Sequence, residues 1–99
     1  MIQVPIIVTE GCPICDKAKA SLKQANIILG DILIVRELRL DGPTETEAVD
    51  LAIDYDLDQV PSFVIGDTVF EMDEFTVKDI VNAARNQKSP SYRGPKQRQ

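Results

Sequence analysis

Cys12-Pro13-Ile14-Cys15 holds the chain's only two cysteines, two residues apart. Two thiols at that spacing can close into a small disulfide ring and reopen. The attacking species in such chemistry is a thiolate. An unperturbed cysteine has a pKa of about 8.5, so only about 3% is ionised at pH 7. A motif of this kind therefore needs a local source of positive potential, and the start of a helix supplies one through free N–H groups and partial positive charge. Cys15 follows Cys12 by nearly one helical turn, which brings the second sulfur within bonding reach of the first. The expected sequence of events is attack by Cys12 on a target disulfide, then displacement of the target by Cys15. Glu10 and Asp16 lie close in sequence and oppose the thiolate, whereas Lys17 favours it.

Three plainer readings stand beside this one. The pair could be a structural disulfide, although so tight a loop removes little entropy from the unfolded chain. It could hold zinc or an iron–sulfur cluster, but with no histidine and no third cysteine the remaining ligands must come from carboxylates or a second chain. It could also be a coincidental pair of core cysteines. What raises the exchange reading is the placement of the pair between a strand and a helix.

The elements that must position these sulfurs are legible in the pattern. Ile2–Thr9 is β-branched and apolar and ends at Glu10-Gly11, as a buried strand does. Pro5 cannot donate to a ladder, so regular pairing is expected only from Ile6. Residues 13–26 read as a helix with Ile14, Ala18, Leu22 and Ala25 on its inner face. Pro13 suits the first turn, where a missing N–H costs nothing, and this sets Cys12 at the N-cap. Ile32–Leu40 reads as a strand burying Ile32, Ile34, Leu38 and Leu40, its charges marking an edge. Thr44 and Glu47 fit a capping box for a helix to about Tyr55 that buries Val49, Ala52 and Ile53. Ser62–Ile65 and Thr68–Glu71 are short strands around the hairpin signal Gly66-Asp67, with Phe63 and Phe70 expected in the core. A last helix runs from about Thr76 to Asn86 on Val77, Ile80, Val81 and Ala84.

Ninety-nine residues with 43% hydrophobic content make one domain. It is expected over residues 1–87, with 88–99 a disordered tail. The net charge is -5, but the tail carries Lys88, Arg93, Lys96 and Arg98 and no acid. Residues 1–87 thus set 16 acids against seven bases. A body of that sign argues against nucleic acid as the partner of the folded part. No apolar stretch reaches membrane-spanning length, and the start has no basic region followed by an apolar run. The expected address is the cytoplasm, where a CxxC pair is seldom structural. Alternating Asp54, Asp56 and Asp58 read as a solvated loop rather than a cation site.

The Cys-Pro-Ile-Cys motif at a strand-to-helix junction, followed by Tyr55-Asp-Leu57-Asp-Gln-Val60-Pro61-Ser62, resembles the thioredoxin superfamily. The short length, and the strand leading directly into the CxxC, resemble its glutaredoxin branch. The resemblance covers about residues 2–86. It implies a βαβαββα thioredoxin fold, a mixed four-stranded sheet flanked by three helices. It further implies that Cys12 is the nucleophile and Cys15 the resolving thiol, with Pro13 and Ile14 supporting the site. Pro61 would follow a cis peptide beside the disulfide, and Val60 would offer its backbone to an extended substrate. No organic cofactor and no metal are implied. Thr9-Glu10-Gly11 stands where glutathione-using members usually carry a basic residue. Phe70-Glu71-Met72-Asp73 replaces their Gly-Gly pair, with Asp73 matching the following acid. The Pro-Ile centre is similar to that of glutaredoxin-like redoxins recharged by a thioredoxin reductase. The implied partners are that reductase and a disulfide-bearing protein such as ribonucleotide reductase, met by a monomer. Glutathione dependence is the alternative enzyme reading, and a metal or cluster module is the alternative of another class.

Overall fold

In the computed structural model the described residues are 1–72 and 74–86. Asp73 and the expected tail at 88–99 lie outside them. The elements are β1 (Ile2–Val8), α1 (Pro13–Leu29), β2 (Leu33–Arg39), α2 (Glu45–Tyr55), β3 (Ser62–Ile65), β4 (Thr68–Glu71) and α3 (Val77–Arg85). The sheet order is β2-β1-β3-β4. β1 and β2 are parallel, β3 is antiparallel to β1, and β4 closes a hairpin with β3. The βαβαββα order and the mixed sheet are those expected from the sequence.

The side-chain alternation of the two central strands builds one core on each face. Val4, Ile6 and Val8 of β1 and Phe63 and Ile65 of β3 meet α1 and α3. Ile7 and Val64 point the other way and meet Ala48 of α2, Leu38 and Leu57. Phe63 is fully buried, stacked on Phe70 and edge-on to Phe75. The two expected core rings thus gain a third that the pattern did not reveal. β2 lies at the sheet edge, as its charges suggested.

Several local expectations are corrected. Pairing of β1 with β2 starts at Ile2, not Ile6. The Ile2 N–H donates to Ile32, so even-numbered residues of β1 face β2 and Pro5 faces the β3 side. There the ladder covers only Ile6 and Ile7, and no donor is missed. Helix α1 continues three residues past Asn26 and is capped by Gly30. Helix α2 buries Ala48 and packs Leu51, Ala52 and Tyr55 inward, whereas Val49 and Ile53 are 41% and 71% exposed. Two alanines let the helix backbone approach the sheet closely, with the larger Leu51 and Tyr55 beside them. Ile34 is also exposed rather than buried.

Thr44 stands at the N-cap of α2 but makes no cap bond. Its hydroxyl accepts from the Arg39 N–H at 2.6 Å and donates to the Arg39 carbonyl. Glu47, the expected second half of the box, takes a bidentate bond from Arg36 with both contacts at 2.7 Å. A capping box does form at α3, between Thr76 and Asp79.

Candidate active site

β1 delivers the chain to the carboxyl end of the sheet, and Gly11 turns it there with φ of 67°, a conformation open to glycine without a Cβ penalty. Cys12 follows in extended conformation as the N-cap of α1, with Pro13 in the first turn. The Cys15 N–H donates to Cys12 Sγ at 3.0 Å. That sulfur therefore occupies the place of a capping oxygen, at the positive end of a 17-residue helix. A disulfide joins Cys12 to Cys15, with their Cα atoms 5.2 Å apart.

The two sulfurs differ in access. Cys15 is 2% exposed and belongs to the core shared by α1 and the sheet. Cys12 is half-buried at the rim of that core. Ile14, expected on the inner face, is only half-buried, and Cys15 takes the buried position; Pro13 is exposed.

Val60 and Pro61 precede β3, and the peptide between them is cis. Ser62 pairs with Ile7, so this segment meets the end of β1 that leads to the cysteines. Val60 packs against the same core as Cys12. Pro61 is fully buried, and its carbonyl accepts from the Met72 N–H at 2.7 Å, tying the loop after β4 to it. Ser62 is fully buried, and its hydroxyl donates to the Gln59 carbonyl.

An open cleft of about 410 Å³ lies against the disulfide, lined by Glu10, Cys12, Cys15, Asp16, Lys19 and Arg39 among others. Sequence reading named Lys17 as the helpful cation. The structure instead puts Lys17 on another face of α1, near Phe75, and Lys19 in the cleft. Lys19 stands four residues from Cys15, on the same helix face, and that spacing was the available signal. Arg39 comes from β2, and nothing local to the motif announces it. Among the described residues, no group of three or more His, Cys, Asp or Glu side chains is placed to hold a metal ion. Nor is any described helix long and apolar enough to cross a membrane.

An N-capping cysteine joined to a buried partner, at the end of a β2-β1-β3-β4 sheet and near a cis-proline loop, defines the thioredoxin-like fold. Solved structures bear this out. A thioredoxin-like protein from Clostridium perfringens superposes with a TM-score of 0.65 at 22% identity, over 86% of this chain and 69% of that one. Thioredoxin-2 of the malaria parasite, described as a component of its protein secretion machinery, gives 0.59 at 12% identity, over 88% and 84%. The first thioredoxin domain of mouse protein disulfide-isomerase A4 gives 0.56 at 18% identity, over 96% and 69%. In sequence, no protein-family model and no curated protein matches the chain.

Proposed function

We propose that this chain is a dithiol–disulfide oxidoreductase that reduces disulfides of other proteins. The observation that carries the reading is the Cys15 N–H donating to Cys12 Sγ at the start of α1. A hydrogen bond and a helix terminus that both favour an anion lower the cost of a thiolate at Cys12. In the reduced protein this thiolate attacks one sulfur of the target disulfide. A mixed disulfide forms and one target thiolate leaves. The Cys15 thiol loses its proton to solvent and attacks Cys12 Sγ. The Cys12–Cys15 bond forms, the second target thiolate leaves, and two electrons have passed to the target.

Exposure orders these roles, because an outside disulfide can reach Cys12 and not the 2%-exposed Cys15. Val60 and Pro61, at the same end of the sheet, are the proposed substrate face, where an extended segment adds to the Val60 backbone. Pro13 and Ile14 support the site. We assign recharging to a reductase of the thioredoxin-reductase type, in the cytoplasm, with no organic cofactor. Glu10, with its side chain 81% exposed at the cleft, stands where glutathione-using members usually carry a basic residue, and Arg39 at 3.4 Å offsets its charge.

Turnover of a protein disulfide with NADPH and a thioredoxin reductase tests this assignment, and Cys12→Ser should abolish it. Turnover supported by glutathione and glutathione reductase alone would select the glutathione-dependent reading instead. Unchanged reductase-coupled activity in Cys12→Ser would remove the enzymatic reading altogether.

A further inference from the structure

The acids that flank the motif are each met by a cation, Glu10 by Arg39 from β2 and Asp16 by Lys19 from its own helix. Arg39, at the end of β2, places its guanidinium 3.4 Å from Glu10 and 3.4 Å from Asp41. Lys19 lies 3.9 Å from Asp16 and 3.5 Å from Glu37. The arrangement is layered. The side chains of Lys19 and Arg39 are 35% and 39% exposed, and those of Asp16 and Glu10 are 80% and 81% exposed. All four side chains line the cleft against the disulfide, and in each pair the cation is the less exposed partner and the acid the more exposed one. Water screens the acids more than it screens the cations.

We propose that Arg39 is a positioning residue for the Cys12 nucleophile. It holds the Glu10 carboxylate and supplies wall charge against which the sulfur anion forms. This rests on the reading of Cys12 as the attacking thiol. The charged groups that line the cleft are Glu10 from the loop, Asp16 and Lys19 from α1, and Arg39 from β2. Glu37 and Asp41 act through their ion pairs, and the Val60-Pro61 segment brings no charge. Lys19 already answers two carboxylates. Without Arg39, Glu10 and Asp41 would both lose their cation, and the loop leading into Cys12 would carry an unopposed negative charge.

The test is the rate of alkylation of Cys12 by iodoacetamide against pH, in the reduced full-length chain, with the modified residue located by mass. Exposed ion pairs change equilibria by about 1.4- to 5-fold. Arg39→Gln should therefore cut the rate at pH 6 by about 1.5- to 5-fold and move the inflection upward. Arg39→Lys should restore most of it. Adding Glu10→Gln to Arg39→Gln should return the profile toward that of the native chain, because the charge to be held is gone. An Arg39→Gln profile that superposes on the native one, while the native inflection lies well below about 8.5, overturns the role of Arg39 alone. A urea midpoint that falls with no movement of the profile assigns Arg39 a structural role and overturns it equally. A native inflection no lower than that of free cysteine overturns both this role and the reading of Cys12 beneath it.

Discussion

Asn26, in the last turn of α1, gives the sharpest test of how the helix bearing Cys15 is fastened to the sheet. Its amide nitrogen donates to the Leu33 carbonyl at 3.1 Å, and its carbonyl oxygen accepts from the Leu33 N–H at 2.8 Å. Leu33 opens the edge strand β2 and is only 5% exposed. One side chain thus serves the backbone as a neighbouring strand would. Asn26→Ala removes two bonds worth about 0.5–1.5 kcal/mol each, so the expected loss is about 1–3 kcal/mol. With a urea slope of about 1.5 kcal/mol/M, the unfolding midpoint falls by about 0.7–2 M at unchanged slope. Asn26→Asp keeps the acceptor but turns a carboxylate toward the Leu33 carbonyl. Protonation restores a donor there, so the folded-state pKa is raised and part of the lost stability returns as the pH falls through it. Cys12 lies 14 residues away, about 21 Å along the helix axis, and its alkylation rate should not change. A midpoint shift in Asn26→Ala smaller than about 0.3 M would refute the argument, since it would mean that water replaces both bonds at a buried strand end.

Phe63→Ala empties a fully buried site between Phe70 and Phe75 and should cost about 3–5 kcal/mol by denaturant unfolding, a large part of the stability of a domain this size. The hydrogen bond from Arg36 holds the Glu47 carboxyl below the usual carboxylate range, with desolvation opposing it and the Arg36 charge adding to it. The stability this pair contributes is fully present above the usual range and is lost as pH falls through the lowered midpoint. NMR titration of the Glu47 side-chain carbon should move toward ordinary values in Arg36→Gln, and an unchanged titration would refute the coupling. Cys15→Ser should leave Cys12 joined to its target as a mixed disulfide that dithiothreitol releases. Release at the native rate, seen by mass under non-reducing conditions, would refute the resolving role.

The features legible in the sequence are those written in local punctuation. Pro13 fixed the start of α1 and so the capping position of Cys12, and Gly66-Asp67 fixed the hairpin. What escaped was decided by contacts between distant segments. Helix α2 carries two overlapping apolar stripes, and only the shape of the sheet face chose Ala48, Leu51 and Tyr55 over Val49 and Ile53. Thr44 and Glu47 had a sound local signature, yet Arg39 and Arg36 claimed them. Thr76-Asp79 went unread because the aspartate stands where the box usually has Glu or Gln. The cleft was half legible: Cys12 and Cys15 announced themselves, while Arg39 arrives from a strand 24 residues beyond Cys15.

The outward pair Val49 and Ile53 has a colloidal consequence. From Asp41 to Val77 the chain has 11 acids and no Lys or Arg, so these bare aliphatic groups sit in a strongly anionic neighbourhood. Two molecules approaching through that helix would meet like charge before they met grease. Acidification or concentrated salt lifts this guard, and light scattering should then register clumping that Ile53→Lys suppresses.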